Sequence, residues 1–396
     1  MSGFAAGMLG SEWRLSGRTL ILAGITALAG LACADLAVLH AVTQIPGRVS
    51  DFFAFWSFAK FVHANVPAAI YDVAALHRFQ VGLGVDTQFP FLYPPGILLV
   101  LWPFGLLPYP AAFALWVAAS LALYVASLGE RQGWAWTVPA LLLAPATILC
   151  GALGQSGFLV GALLIGGLRL TACRPALGGM LLGLATLKPQ FALLVPVALV
   201  AAGLRRALLT AGATGVAVIT LSSIAFGPAV WVRWLAALSG FPGIISQEHG
   251  LFPVMPTVTG NLHLLGAPPP LAAIAQSAAA AAAAAAVFRA FRTGPSRPAI
   301  AALLAGAFLA TPYALISDLS LPTAAAVLLV QDRFRRGRSF RTAEIAVLAL
   351  TFWLPYLMIG LAPFAFSAAV VALVVPLALG ACEPKAVSVH RLPVEA

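Results

Sequence analysis

Charge is what this sequence has least of. Of 396 residues only 9% are charged, and Asp and Glu together number 12. A soluble domain carries about 25% charged residues, so a chain surrounded by water is excluded. Cysteine is also scarce. Cys33, Cys150, Cys173 and Cys382 are scattered, mostly inside apolar stretches, which excludes a disulfide framework. The six histidines (His40, His63, His77, His249, His263 and His390) include no i,i+4 pair and no grouping with cysteine or carboxylate of metal type. No phosphate-cradling Gly-rich loop follows a strand, and no strand pattern is visible. Nothing in the chain points to a cofactor, whether ATP, NAD or zinc.

What is present is greasiness. Hydrophobic residues make up 61% of the chain, and the mean hydropathy is +0.99. A membrane crossing needs about 20 apolar residues, so the expectation is an all-α polytopic membrane protein of about 12 transmembrane helices. The crossings are placed at 18–43, 94–128, 133–151, 156–170, 175–188, 190–204, 206–226, 269–290, 298–314, 318–332, 343–358 and 360–381. Residues 1–396 then form a single integral-membrane domain with two long outer loops, 44–93 and 227–268. The segment 94–128 is broken by Pro103, Pro108 and Pro110, and reads either as one long crossing or as a short half-helix followed by a full span.

The formal charge of +10 is a statement about topology. With the N-terminus inside, the inner loops collect Arg14, Arg18, Arg131, Arg169, Arg174, Arg205, Arg206, Arg289, Arg292, Arg297 and the run Arg333–Arg341. The outer side keeps only Arg48, Lys60, Arg78, Lys188 and Arg233. That asymmetry is the positive-inside rule. It places the chain in a cytoplasmic (inner) membrane with both termini cytoplasmic. The basic run then reads as an inner loop touching anionic lipid, with no nucleic-acid partner.

Under this topology the unusual polar residues share the outer side. Asp51 opens the aromatic stretch Ser50–Asn65, SDFFAFWSFAKFVHAN, which suits a helix at the membrane–water boundary with Ser50 as N-cap. Gln155 lies in GALGQSG, Lys188 and Gln190 in ATLKPQF, and Asp318 in TPYALISDLS. Each has an ordinary reading. Asp51 is then a solvated helix cap, Gln155 and Gln190 bond between helices, and Asp318 pairs with a hydroxyl or an Arg. Tyr93-Pro94-Pro95 becomes a helix start. A lone lysine at the outer side opposes the charge rule and needs a partner, either a bound phosphate or the outer headgroups.

These pieces, taken in order, resemble glycosyltransferase family 87 of the GT-C superfamily. The marks are SDFFAFWSFAKFVHANVPAAIYD, FPFLYPPGILLVLWPFGLLPYPAAFALW, GALGQSGFLVGALL and GGMLLGLATLKPQFALLVP, with MPTVTGNLHLLG and TPYALISDLSLP as weaker ones. The resemblance implies a GT-C type helical bundle. It also implies a hexosyltransferase dependent on a polyprenyl-phosphate sugar, mannose-like, that acts on a lipid or glycan acceptor. It assigns the catalytic aspartate of the first outer loop to Asp51. Some members carry histidine near the late TPY motif, where this chain has Asp318. The implied reaction is an inverting displacement, with Asp51 as general base and Lys188 and Arg48 on the donor phosphate. Tyr93, Gln155, Gln190 and Asp318 are then expected to bind substrate. A transporter or flippase of a lipid-linked saccharide is the alternative. It calls for polar groups near the midplane and repeated halves, and neither pattern is evident.

Overall fold

The computed structural model describes residues 35, 50–129, 134–240, 251–361 and 363–382. Apart from Asp35, all of these belong to one compact unit that begins at Gly47. Asp35, from the first expected crossing, is helical. Arg48 lies outside the described residues.

Every regular element among the described residues is helical. Helix α1 (Phe52–Ala64) leads through a 3₁₀ turn, Pro67–Tyr71, into α2 (Val73–Gly82). Then follow α3 (Ile97–Leu101) with its 3₁₀ extension Trp102–Leu106, α4 (Tyr109–Leu128), α5 (Trp134–Leu142), α6 (Pro145–Leu153) and α7 (Gly157–Leu170). Next come α8 (Pro175–Leu184) with the turn Ala185–Leu187, α9 (Pro189–Ala192), α10 (Val195–Ala201), α11 (Arg205–Phe226) and α12 (Ala229–Ala237). The chain closes with α13 (Val258–Leu264), α14 (Pro269–Phe291), α15 (Arg297–Ala310), a 3₁₀ turn Ile316–Leu319, α16 (Ser320–Arg335), α17 (Thr342–Gly360) and α18 (Ser367–Cys382).

Among the described residues four helices are long and apolar enough to cross a bilayer alone: α4, α11, α14 and α17. A fifth crossing is available if α5 and α6, bent by 55° at their junction, are taken together. The remaining apolar helices are 10–17 residues long. At 1.5 Å per residue such a helix covers roughly 15–25 Å, less than a hydrocarbon core of about 30 Å. Proline explains several of the breaks. Pro103 lies in the turn after α3 and Pro108 precedes α4, so 94–128 resolves into a short helix and a full span. Pro145 starts α6, and Pro189 separates α8 from α9.

Helix α16 is the buried axis, with Ser320–Leu329 covered throughout. Helix α15 is nearly as enclosed, whereas α11 turns Leu209, Val216, Leu221 and Ile224 outward as a lipid-facing helix should. Where α8 meets α11, Gly179 and Gly183 admit the partner backbone. A β-carbon on Gly183 would stand 2.6 Å from the Ala211 carbonyl oxygen.

The bundle has two chemically distinct ends. At one, Arg169 donates to the carbonyls of Ser127 and Gly129, Gln331 donates to the Leu128 carbonyl, Arg336 pairs with Asp332 and Arg333 pairs with Glu344. At the other, the start of α4 meets α1 and the α6–α7 break, and the turn before α16 meets the α8–α9 elbow.

Helix α1 packs its rings more deeply than the sequence expectation of a boundary helix requires. The helix keeps a partly exposed stripe at Trp56, Lys60, His63 and Ala64, but Phe52, Phe53, Phe55, Phe58 and Phe61 are all buried in protein. Phe52 alone meets Phe55, Phe104, Tyr109, Phe113 and Trp116 at ring-centroid distances of 5.6–6.5 Å. The helix is part of a core built from loop 50–107 and α4. Buried Gln80 holds that core's return segment, donating to the Phe89 carbonyl and accepting from the Phe89 amide.

Candidate active site

The site is built on two interruptions and one turn. The first interruption separates α6 from α7. Helix α6 ends in a left-handed residue, Gly154 (φ 65°), and the Gln155 amide bonds back to the Cys150 carbonyl. This is the αL closure that favours glycine. A side chain is also excluded by packing, since a β-carbon on Gly154 would lie 2.6 Å from Phe52 Cβ. The chain thus reverses tightly against the start of α1.

That reversal seizes Asp51 in two ways. Ser50 Oγ donates to the Leu153 carbonyl at 2.7 Å, and Gln155 Nε2 donates to Asp51 Oδ2 at 2.8 Å. The Phe52 amide donates to Ser50 Oγ at 3.2 Å. Asp51 occupies the position before α1, yet its carboxylate makes no cap hydrogen bond. It is half-buried and turned to Gln155, so the solvated-cap reading of this residue does not hold.

The second interruption is the elbow at Lys188. A residue before proline is driven out of the helical region, and Lys188 adopts φ −130°, ψ 75° between Ala185–Leu187 and α9. The bend points the side chain into protein. Lys188 is 4% exposed, its Nζ lies 2.5 Å from Asp318 Oδ1, and the Phe191 ring lies 5.2 Å below the ammonium. Asp318, in the turn before α16, is 2% exposed, and its second oxygen, Oδ2, accepts the Leu315 amide at 3.2 Å. A buried ammonium unpaired in an apolar bundle is costly, and the partner here is this carboxylate.

The break and the elbow are one site. Cys150 Sγ donates to the Gln155 carbonyl at 3.6 Å. A β-carbon on Gly157, the first residue of α7, would come within 3.2 Å of both Cys150 Sγ and the Ser317 carbonyl oxygen. Tyr93 is close enough to both carboxylates to sense their charge. Its phenol sits beside the Ser156 hydroxyl and feels both Asp318 and Asp51. Burial first, and those two negative charges with it, push the phenol well above the ordinary tyrosine range, so it stays a hydrogen-bond donor.

Of the residues expected from sequence, Asp51, Tyr93, Gln155, Lys188 and Asp318 therefore come together. Gln190, two residues after Lys188, is half-buried in α9 and makes no hydrogen bond to a described residue. The sequence names Ser50 only as the cap of α1, where its Oγ does accept the Phe52 amide, and does not announce its bond to Leu153, nor Ser156, nor the mutual pairing of Lys188 with Asp318. One signal for that pairing was available. The two are opposite charges in otherwise apolar segments, and such charges tend to find each other. Among the described residues no three His, Cys, Asp or Glu side chains gather as a metal site.

Neither a curated protein nor a solved structure matches the chain. A family comparison does. Residues 91–317 match the model of glycosyltransferase family 87, with Tyr93, Gln155 and Lys188 inside the matched stretch, Asp51 ahead of it and Asp318 directly after it. That stretch is more than half of the chain, and its apolar helices are those of a membrane protein; the chain belongs to glycosyltransferase family 87.

Proposed function

We propose that this membrane glycosyltransferase takes a sugar, a mannose-like hexose, from a polyprenyl-phosphate donor. It passes the sugar to a lipid-linked or glycan acceptor on the outer face of a cytoplasmic membrane. The observation that carries this reading is that the α6–α7 break, which holds half-buried Asp51 through Gln155, packs at Gly157 against the Ser317 carbonyl, next to the Asp318 that pairs with buried Lys188.

The acceptor hydroxyl oxygen attacks the anomeric carbon and its proton passes to Asp51. The bond from that carbon to the phosphate oxygen breaks, and the electron pair leaves with the polyprenyl phosphate. Attack opposite the leaving group inverts the centre. Phosphate is a weak base, so its departure calls for charge stabilisation rather than protonation. An ammonium has three N–H donors. Asp318 Oδ1 accepts from Lys188, which leaves donors for a phosphate oxygen. Gln155 fixes the base, and the Tyr93 phenol adds a donor near both carboxylates.

The arginine-rich end of the bundle supports the orientation. Arg169, Arg297 and Arg333–Arg341 cluster where cytoplasmic loops carry positive charge. The site lies at the opposite ends of α7 and α16; on the positive-inside rule this favours an exterior site, which a lipid-borne donor would meet from the bilayer. The test is incubation of purified protein with a panel of polyprenyl-phosphate sugars, following donor loss. Consumption of one donor is expected, and a panel left intact in the presence of acceptor lipids removes this reading.

A further inference from the structure

The turn that joins α16 to α17 carries more positive charge than the protein itself uses. Five arginines stand between Asp332 and Glu344. Arg336 pairs with Asp332 at 2.9 Å, Arg333 pairs with Glu344, and the cations in the last turn of α16 complement the negative end of its dipole. Arg338 and Arg341 lie past that turn, and neither guanidinium meets a carboxylate among the described residues.

The chain that presents these two arginines is fixed. Gly337 is left-handed (φ 59°), and the Gly337 and Arg338 amides bond back to the Phe334 and Arg333 carbonyls, the paired closure that ends a helix on glycine. Glu344 clamps the far side. One of its oxygens takes the Arg333 guanidinium and the other accepts the Arg341 amide at 2.9 Å. The Phe340 ring packs 5.8 Å from the Arg333 guanidinium between them. Little backbone is left to order when a ligand arrives.

The surroundings are apolar. Phe334 is 65% exposed, with its ring 5.5 Å from Trp136 and 6.4 Å from Phe340. Beside it a shallow, open crevice between α16, α17 and α18 has Leu329, Leu348 and Leu377 deeper in the bundle and Arg333, Phe340 and Glu344 at its mouth. A soluble acidic partner would need only the cations. Cations next to an exposed ring and an apolar crevice call for an anionic head joined to a hydrocarbon tail, and a bilayer supplies such molecules. We propose that the α16–α17 turn seats one anionic phospholipid, with its phosphate on Arg338 and Arg341 and a chain along Phe334 and the crevice. Under the orientation proposed above this is a lipid of the cytoplasmic leaflet; the seat itself does not depend on that orientation. Because its cations are exposed, its affinity falls as salt is added.

Native mass spectrometry of the full-length protein, titrated in detergent with phosphatidylglycerol or phosphatidylcholine, tests this. The wild type is expected to hold one phosphatidylglycerol more tightly than phosphatidylcholine. In Arg338→Gln/Arg341→Gln the affinity for phosphatidylglycerol should fall about thirtyfold, roughly fivefold per guanidinium. Phosphatidylcholine binding and the lipid-free melting temperature should stay as in the wild type. Arg205 and Arg206, exposed at the start of α11, supply the control. Arg205→Gln/Arg206→Gln removes the same charge from another basic turn and should leave the affinity near wild type. Equal losses in the two double variants would mean a diffuse positive surface and overturn the seat, as would a wild type without preference for phosphatidylglycerol. Glycerol 3-phosphate has the anionic head without the chains; if it displaces phosphatidylglycerol at equal concentration, the occupant is a soluble anion and the lipid seat is overturned. None of these results touches the transferase reading, because the candidate active site lies at the other end of α16.

Discussion

Lys188 and Asp318, 130 residues apart in sequence, face each other at 2.5 Å in the buried centre of the site. Removing one partner leaves the other as an uncompensated charge, which costs roughly 3–5 kcal/mol. Asp318→Asn is therefore expected to lower the melting temperature in detergent and to weaken donor use. Replacing both residues with apolar ones, Lys188→Met with Asp318→Leu, should recover stability while transfer stays lost. Recovery of transfer in that double variant would mean that the pair only holds helices together.

Gln155 is expected to act through Asp51. Its amide bond to the carboxylate is charge-assisted, worth roughly 1.5–3 kcal/mol. Gln155→Leu should reduce kcat by about ten- to hundredfold with donor KM little changed. A variant altered in KM alone would place Gln155 on the substrate instead of on the base.

Gly154 tests the architecture of the break. Gly154→Ala forces a β-carbon onto a left-handed residue and against Phe52. It should destabilise the protein by about 1–3 kcal/mol and reduce activity beyond the stability loss, because the turn holds Asp51's segment twice, through the Leu153 carbonyl that accepts from Ser50 and through Gln155, which donates to Asp51. Wild-type stability would show that the turn relaxes freely.

Much of this was legible before any coordinates. The apolar composition gives the membrane class, and Pro103 and Pro108 mark the break in 94–128, whereas the break at Pro145 falls inside the expected crossing 133–151, and Pro139, Pro355 and Pro376 sit inside helices without ending them. Asp51, Gln155, Lys188 and Asp318 stand out because polar groups are rare in such segments. Their contacts were less legible, because a sequence gives spacing along the chain and not which helix lies opposite. Lys188 was read as waiting for a phosphate or a headgroup, and its nearest partner is Asp318. The aromatic run after Asp51 has the composition of a boundary helix, yet its rings meet others contributed by residues 89–116, which no local pattern in 50–65 announces. Crossing number was blurred for a related reason. Helices of 10–17 residues satisfy a hydropathy window when joined and fall short when separate.

The orientation can be checked by labelling. Asp86, in the segment after α2, and Ser339, beside the arginine-rich turn, are both exposed. In a Cys173→Ser background, Asp86→Cys should react in intact cells with a membrane-impermeant maleimide, and Ser339→Cys only after permeabilisation. The reverse pattern would put the site on the cytoplasmic side.

The most direct measurement is transfer by Asp51→Asn. This change keeps the size of the side chain and its contact with Gln155 while removing the proton acceptor. With a donor that the wild type consumes, turnover should fall by about 10²- to 10⁴-fold, with donor binding and melting temperature close to wild type. Full turnover in Asp51→Asn would contradict the assignment of Asp51 as the base.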